Sequence, residues 1–433
     1  MLCDFNSFLM DLIAELKERN LVQDIIPGTE EQLNKEMTAG YIGFDPTADS
    51  LHVGSLLPIT LLMRLQQAGH KPYVLIGGAT GMIGDPSGKS QERNLLDTAT
   101  LLNNCNGIRK QLEKFLDFNS SAPNAAVMVN NYDWFKDFSF LDFIRDIGKH
   151  ISINYMLAKD SVQKRLETGM SFTEFTYQLI QGYDFYYLFS NYQVRLQMGG
   201  ADQWGNIVTG SELIRRKGGG VGFAFTCTLI TKSDGSKFGK SEGGNIWLDR
   251  EKTSPYQFYQ FWLNLPDADA AKMMLVFSFK AVSEINKIID QHTTAPHERS
   301  LQKALAEELT VLVHSEEDLL FAKKASDILF GQGTVEMLRS LTNEQLLALD
   351  GVKQVSGNKN ELVEGMDLIT FLSESGIFSS KGEAKKMLQN GGVSLNKEKV
   401  TAIDMKLKKE HLLNSKYLLV QKGKKEYILA IFN

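Results

Sequence analysis

The chain has 433 residues, too many for one compact core, so two or three domains are expected. Its hydrophobic content of 43% and net charge of −5 are typical of a soluble globular protein and imply no partner by charge alone. The longest apolar runs, such as LLPITLLMRL, are broken by charge before membrane-spanning length, which excludes a membrane protein. The three cysteines lie far apart, without disulfide or metal-ligand spacing, so we expect a cytoplasmic protein with no metal site of its own.

The first elements along the chain predict a parallel α/β sheet. An amphipathic N-terminal helix, not a signal peptide, is expected to turn Phe5, Phe8, Leu9, Leu12 and Leu16 inward. GYIGFD then predicts a strand, Leu51 to Ala68 a helix closed by Gly69, and KPYVLIGGAT a second strand. This order is a βαβ unit, which places its two strands side by side and parallel.

Later segments divide the rest of the chain. A mostly helical stretch covers about 95–192, after which VRLQMGG, DQWGNIVTGSELIRR and FAFTCTLIT predict strand, helix and strand. Helical periodicity dominates 253–348, and the polar, glycine-bearing stretch 350–365 is typical of a linker. From Gly365 onward there are 12 Lys/Arg against 7 Asp/Glu, so this module carries +5 and the remaining chain −10.

The stretch YIGFDPTADSLHVGSLLP joins a strand to the start of a Leu-rich helix. A helix N-terminus attracts phosphate, and Asp49 or Ser50 is expected to cap this one, with His52, Gly54 and Ser55 in or beside its first turn. His-x-Gly alone is so common that, by itself, it favours an ordinary capped core helix with an exposed histidine. Its position after the first strand of a βαβ unit favours a ligand site, because ligands bind at the carboxyl ends of such strands.

The stretch GGATGMIGDPSGKS superficially resembles a phosphate-binding P-loop. It lacks the required glycine, since Ile83 occupies that position. We therefore interpret it as a turn after the second strand that presents Asp85. Asp85 could equally be an ordinary turn-forming residue.

A third stretch, TKSDGSKFGKSEGG, has three lysines and four glycines and predicts a mobile loop. Lys237 and Lys240 flank Phe238 and Gly239 and could close over a triphosphate, where lysine stabilises developing negative charge. A solvated surface loop would have the same composition.

Taken together, these stretches resemble the two signature motifs of class I aminoacyl-tRNA synthetases, HVGS and KFGKS. The companion segments NNYDWF, SFTEFTYQLIQGYDF, GGADQWGNI and KFGKSEGGNIWLD narrow the resemblance to the bacterial tyrosyl-tRNA synthetase family over nearly the whole chain, in order. One residue departs from the pattern, since Ser55 stands where many relatives carry histidine. Serine still donates a hydrogen bond, so altered ATP contact is expected and not loss of function.

The resemblance implies a Rossmann-like parallel-sheet catalytic domain over 1–247, with a helical dimerisation insertion at about 95–192. An α-helical anticodon-side domain over 248–349, a linker over 350–365 and a small α+β S4-like RNA-binding domain over 366–433 would follow. The implied S4-like segment is GIFSSKGEAKKMLQNGGVSLNKEKV. The implied partners are tRNA and a second copy of the chain, and ATP is a substrate with Mg²⁺ bound to it, without an organic cofactor.

The resemblance also implies roles for individual residues in a two-step reaction, in which tyrosine and ATP form tyrosyl-adenylate and the tyrosyl group passes to tRNA. The implied catalytic residues are Thr47, His52, Lys237 and Lys240. Those implied for ATP and the adenylate are Gly43, Asp45, Ser55, Gly199, Gly200, Asp202 and Lys240. Those implied for tyrosine are Tyr41, Asp85, Asn131, Tyr177, Gln181, Asp184 and Gln203. Those implied for RNA are Lys381, Lys385 and Lys386.

Two alternatives stay open on the residues alone. A non-catalytic RNA-binding protein could retain the fold, although the presence of His52, Lys237 and Lys240 argues against it. A class I synthetase for tryptophan shares the fold, but an indole can only donate a hydrogen bond, so the polar pair Tyr41 and Asp184 suits a phenol better. Taken singly, Tyr177, Gln181 and Asp184 could also form an exposed polar stripe on a helix.

Overall fold

The computed structural model describes residues 11–433 except 88–95, 168, 234, 236, 237, 242, 243, 331–333, 348, 350, 351, 424 and 425. Of the predicted N-terminal helix, Leu12 and Leu16 are buried as expected, whereas Phe5, Phe8 and Leu9 lie outside the described residues. The chain forms two compact units. The first comprises Met1–Asp249 and Leu265–Leu305, and the second comprises Arg250–Asn264 and Ala306–Asn433.

The elements alternate between helix and strand up to residue 245. They are α1 (Leu12–Glu18), β1 (Val22–Ile25), α2 (Thr29–Lys35), β2 (Ala39–Phe44), α3 (Leu56–Gln67), β3 (Lys71–Ile76), α4 (Thr98–Leu112), β4 (Val127–Asn130), α5 (Tyr132–Phe135), α6 (Phe140–Asp146), α7 (Ile153–Leu157), α8 (Asp160–Leu166), α9 (Phe172–Tyr192), β5 (Val194–Gly200), α10 (Trp204–Leu213), β6 (Phe223–Cys227), β7 (Lys240–Ser241) and β8 (Gly244–Asn245).

Helices dominate the next hundred residues, and a strand-rich module ends the chain. These elements are α11 (Pro255–Leu263), α12 (Asp267–Phe277), α13 (Val282–Thr294), α14 (Ser300–Val313), α15 (Glu316–Phe330), α16 (Val335–Arg339), α17 (Asn343–Leu347), β9 (Lys353–Gly357), β10 (Met366–Asp367), α18 (Leu368–Glu374), α19 (Lys381–Gln389), β11 (Val393–Leu395), β12 (Glu398–Lys399), β13 (Lys406–Leu407), β14 (Tyr417–Lys422) and β15 (Glu426–Phe432).

The first unit is built on a six-stranded sheet of order β1-β6-β5-β2-β3-β4, confirming the predicted α/β fold. All neighbours pair in parallel except β1 with β6. The chain runs outward from β2 through β3 to β4, and then returns to β5 on the other side of β2. The strand order therefore reverses between β2 and β5, and in such sheets a ligand crevice opens at the carboxyl ends of the two strands.

Helix α9 supplies one wall above this reversal. Ser171 accepts a hydrogen bond from the Glu174 backbone and Glu174 returns one, a capping box that starts the 21-residue helix. Gly182 on α9 faces α10 so closely that a Cβ would lie 3.3 Å from the Gly210 backbone nitrogen. The two glycines let α9 and α10 pack backbone to backbone, which holds the polar side chains of α9 against the sheet.

Two strands lie where none was expected. β4 falls within the stretch 95–192 that we predicted as mostly helical, and it forms an edge of the main sheet. β9 falls within the predicted linker 350–365 and pairs in parallel with β15, so that this stretch belongs to the C-terminal sheet. Both are short strands whose pairing partners are distant in sequence, and local composition therefore does not reveal them.

The second unit contains the strand-rich C-terminal module. Its five-stranded sheet has the order β12-β11-β14-β15-β9, and α18 and α19 complete an α+β fold. Phe371, Phe378, Leu418 and Phe432 are among the side chains of its own buried core. Among the described residues, no helix is long and apolar enough to cross a membrane.

Candidate active site

A cleft of about 260 Å³ opens at the strand-order reversal between β2 and β5. Ten of the residues implied for catalysis, ATP or tyrosine by the resemblance line it. The ten are Gly43, Asp45, Thr47, Asp85, Tyr177, Gln181, Asp184, Gly199, Gly200 and Gln203. The polar residues of α9 thus face a cleft and are not an exposed stripe.

The closed end of the cleft holds a buried carboxyl group. Asp184 is 1% exposed, and each of its oxygens accepts one hydrogen bond, from Trp134 Nε1 at 2.9 Å and from Asn131 Nδ2 at 3.1 Å. Burial raises the pKa of the Asp184 carboxyl to about 8, although both donors act in the opposite direction. A carboxylate has capacity for further donors, so Asp184 can still accept a ligand hydroxyl.

Tyr41 lies beside this carboxyl on β2. Its pKa is raised well above the usual phenol value, first by burial and then by the charge of Asp184. The Tyr41 hydroxyl is buried and finds no hydrogen-bond partner among the described residues. Buried polar groups are normally paired, so an unpaired hydroxyl beside a cleft marks a position where a ligand can bond.

A second polar network lines the middle of the cleft. The Tyr177 hydroxyl donates to Asp45 Oδ2 at 2.9 Å, and Thr80 Oγ1 donates to the other oxygen of Asp45 at 2.7 Å. Gln203 Nε2 donates to Asp85 Oδ2 at 2.7 Å. Asp85 also accepts from the Ser87 backbone at 2.9 Å, so it is both a turn-forming residue and part of the cleft wall.

His52 begins a 3₁₀ turn, Val53–Ser55, just before α3. The Gly54 N–H donates to His52 Nδ1 at 3.0 Å, so the neutral imidazole carries its proton on Nε2. A Cβ on Gly54 would lie 2.7 Å from the imidazole Cε1, which explains the glycine.

The predicted cap at Asp49 or Ser50 was wrong. His52 caps the 3₁₀ turn, and Ser55 is the N-cap of α3 without a side-chain cap bond. The Ser50 hydroxyl instead donates to the Leu51 carbonyl and accepts from Gln111 of α4. Packing of the turn against α4 thus removes Ser50 from the helix start.

The first signature pairs directly with the chain that follows the second. The Val53 N–H donates to the Ile246 carbonyl at 2.8 Å, and the Leu248 N–H donates to the Leu51 carbonyl at 2.9 Å. Between them the His52 and Trp247 rings meet edge to face, with centroids 6.2 Å apart. Lys240 lies in the short hairpin β7–β8, whereas Lys237 lies outside the described residues.

Comparison with known proteins identifies the family. A family model described as "tRNA synthetases class I (W and Y)" matches residues 33–331, and one described as "Tyrosine--tRNA ligase SYY-like C-terminal domain" matches residues 348–430. The "Tyrosine--tRNA ligase" of Bacteroides thetaiotaomicron is 58% identical over 98% of this chain and 100% of that protein. The chain belongs to the tyrosine–tRNA ligase family. The Parabacteroides distasonis ligase is likewise 58% identical over 98% of this chain and 100% of that protein.

A solved structure of a family member has the same fold. The C-terminally truncated Aspergillus nidulans mitochondrial tyrosyl-tRNA synthetase is 30% identical, with a TM-score of 0.64. The match covers 72% of this chain and 92% of the fungal one. Fold and sequence therefore agree on the family.

Several functional candidates in the site were not recognised from the sequence. Trp134 donates a hydrogen bond to Asp184, and Thr80 donates one to Asp45. Asn206 Nδ2 donates to both Gln181 and Gln203, at 3.0 and 3.3 Å. Gln197 of β5 lines the cleft with a buried carbonyl oxygen that lacks a partner among the described residues. Trp134 and Asn206 lie inside NNYDWF and GGADQWGNI, two of the segments on which the family resemblance rests. The motifs therefore marked these regions, but no role was assigned to these two residues.

Some predicted residues stand apart from the cleft lining. Asn131 lies behind it and acts through Asp184 and the Ala79 N–H. The predicted RNA-binding residues Lys381, Lys385 and Lys386 are exposed on α19 of the other unit.

Proposed function

We propose that this protein activates L-tyrosine with ATP to tyrosyl-adenylate and transfers tyrosine to the 3′-terminal adenosine of its tRNA. The observation that carries the choice of amino acid is a buried pair: Asp184, which lines the cleft, and the unpaired Tyr41 hydroxyl near it. A phenol can bond both groups, whereas phenylalanine would leave them unpaired, which is the strongest known basis for rejecting an analogue that lacks one hydroxyl.

The first step needs no protein nucleophile. The tyrosine carboxylate attacks the α-phosphate of ATP and pyrophosphate leaves, so the protein has to align the reactants and stabilise charge. We assign the phosphate side to Thr47 and His52, with Lys237 and Lys240 from the second signature. The Nε2–H tautomer supports the assignment of His52, because it offers a donor suited to a phosphate oxygen.

The remaining cleft residues divide between the two substrates. We assign the ammonium group of tyrosine to Tyr177, Gln181 and Asp85, and the carboxylate side to Gln203. Gly43, Asp45, Ser55, Gly200 and Asp202 would hold ATP and the adenylate. Glycines at the ends of β2 and β5 support this, because they let a nucleotide approach the backbone closely.

Mg²⁺ would enter with ATP. Among the described residues, no group of three or more His, Cys, Asp or Glu side chains could hold a metal ion. Phosphate oxygens and water would therefore supply most ligands of the ion, as is usual for Mg²⁺ at nucleotide sites.

We further propose a homodimer formed through the segment 132–172. This segment exposes large apolar side chains in the single chain, including Phe140 at 64%, Leu141 at 76%, Ile153 at 64% and Phe172 at 68%. Exposed apolar surface of this kind is typical of a protein interface. Analytical ultracentrifugation tests the dimer, and a monomer at micromolar concentration would contradict it.

The strand-rich module after residue 352 is proposed to bind tRNA. Its excess of five positive charges and the exposed lysines of α19 support contact with phosphate. The helical segment before it is assigned to the anticodon side of the tRNA on the resemblance alone.

ATP–pyrophosphate exchange with each amino acid in turn tests the activity. Exchange with tyrosine and not with phenylalanine or tryptophan is expected. Exchange with tryptophan would favour the tryptophan synthetase alternative, and no exchange with any amino acid would favour a non-catalytic RNA-binding protein.

A further inference from the structure

Helix α12 contacts the segment of the second signature at three positions. Asp269 Oδ1 accepts a hydrogen bond from the Ser233 N–H at 2.7 Å. One turn further, Lys272 Nζ donates to the Thr231 carbonyl at 3.4 Å. At the end of the helix the ring of Phe277 meets that of Phe238, with centroids 6.2 Å apart. The helix therefore supports this segment along its length.

The carboxyl group of Asp269 is buried more deeply than a simple surface contact requires. The residue is 2% exposed, and Oδ2 finds no hydrogen-bond partner among the described residues. Burial of a carboxylate with one unpaired oxygen costs free energy. An alanine would avoid that cost, which is offset by the position of Asp269 in the first turn of α12 and by the hydrogen bond from the Ser233 N–H.

The far end of α12 is joined to α3, the helix that follows the first signature. Arg64 of α3 is buried, donates from Nη2 to the Ser278 carbonyl at 2.6 Å, and stacks over the Phe279 ring at 4.6 Å. Arg19 donates to the same carbonyl at 3.0 Å. Helix α12 thus connects the helix that follows His52 with the segment that leads to Gly239, all within the first unit.

We propose that Asp269 is a positioning residue for adenylate formation. It holds the Ser233 N–H, and Phe277 of the same helix meets Phe238, next to Gly239, where a Cβ would lie 3.1 Å from the Gly54 backbone nitrogen. The inference rests on the proposed function, because it concerns the rate of that reaction. It assigns no contact with substrate to Asp269.

The test measures tyrosine-dependent ATP–pyrophosphate exchange and tyrosine binding in full-length variants. Asp269→Ala removes the acceptor, and Ser233→Pro removes the donor while leaving α12 intact. Each should lower the exchange kcat by about 10- to 100-fold, the range for a hydrogen bond to a charged group, with the dissociation constant for tyrosine unchanged. Asp269→Asn retains an acceptor and should restore most of the rate, and Ser233→Ala retains the N–H and serves as the matched control.

The double variant separates positioning from a general loss of structure. If the two residues act through one hydrogen bond, Asp269→Ala with Ser233→Pro should be no slower than the slower single variant. A wild-type rate in either single variant, additive losses, or tyrosine binding lost together with rate would overturn the proposal. If Asp269→Ala does not fold, the Ser233→Pro rate decides alone. Absence of exchange in the wild-type protein would instead contradict the proposed function.

Discussion

Tyr41 carries a buried hydroxyl, near Asp184, that has no hydrogen-bond partner in the described part of the chain. Its neighbour Asp184 already accepts hydrogen bonds from two donors. The pair therefore combines a carboxyl group held in place with a hydroxyl that still lacks a partner among the described residues. Such a site discriminates by leaving polar groups unpaired when the wrong ligand binds.

Replacement of Tyr41 by phenylalanine should therefore relax specificity. Loss of one uncharged hydrogen bond costs about 0.5–1.5 kcal/mol, which lowers kcat/KM for tyrosine roughly 2- to 12-fold. The kcat/KM for phenylalanine should not fall. The measurement is therefore the ratio of kcat/KM for tyrosine to kcat/KM for phenylalanine in pyrophosphate exchange. Tyr73→Phe is the matched control, because Tyr73 is the buried partner of Tyr41 on β3, but its pKa is raised by burial and by Tyr192 and not, like that of Tyr41, by Asp184. An equal change of the ratio in both variants would remove Tyr41 from the specificity role.

Asp184 should make tyrosine affinity depend on pH. Since burial raises its pKa to about 8, the empty site holds a proton on this carboxyl at neutral pH. A phenol that donates to the carboxylate favours the ionised form, so binding releases a proton and affinity rises with pH up to the pKa. Calorimetric titration between pH ~6 and ~8 should show the dissociation constant falling by up to about tenfold per unit.

Asp184→Asn should abolish this pH dependence, since the amide does not titrate in the range. Phenylalanine is the ligand control, because it has no hydroxyl to donate. The same slope for phenylalanine would assign the effect to another group.

The two signature motifs act together as paired chain segments. Backbone bonds join Leu51 and Val53 to the segment after β8, and Gly239 lies against Gly54. Gly239 has φ +91°, in the left-handed region that favours glycine. A side chain at this position would therefore be disfavoured both by the backbone conformation and by the nearby Gly54 backbone.

Gly239→Ala should slow adenylate formation more than Gly235→Ala does. Both glycines have positive φ, +91° and +79°, and both variants carry a similar backbone cost, but only position 239 has a close neighbour. Displacement of the first signature by the new Cβ should cost about tenfold or more in rate, because the reacting groups lose alignment. Single-turnover kinetics measures the step, and equal rates in the two variants would show that this approach does not matter for catalysis.

At the scale of the whole molecule, the excess of positive charge and the residues that line the cleft lie in different parts of the chain. All the cleft residues precede residue 208, whereas the basic module begins with β9 at Lys353. The module has its own sheet and its own buried core. Catalysis of the first step and binding of RNA should therefore be separable.

A chain that ends at Val352, just before β9, should still catalyse tyrosine-dependent exchange but charge tRNA poorly. If the module's lysines contact phosphate, full-length tRNA affinity should fall steeply with salt, and the truncated form should show a shallower slope. Exchange assays and tRNA binding across a salt series are the two measurements. Lost exchange would mean that the module supports the catalytic fold, and equal slopes would mean that it does not contact RNA.

The sequence alone predicted the strand–turn–helix order around β2, β3 and α3 and the parallel sheet. These features are local, because alternation, glycine and proline positions and helix periodicity all act within about a dozen residues. The family resemblance, which the comparisons confirmed, implied roles for residues such as Asp184. Helix periodicity alone places Asp184 on a helix and assigns it no role.

Only the tertiary structure decided how these residues are held. Trp134 and Asn131 reach Asp184 across 50 and 53 positions of sequence, Gln111 displaces Ser50 from the predicted cap, and β9 pairs with a strand more than 70 residues away. The contact between Asp269 and Ser233 likewise joins residues 36 positions apart. Hydrogen bonds between distant side chains and the pairing of short edge strands depend on which partners the fold brings together, and no local pattern in the chain encodes that.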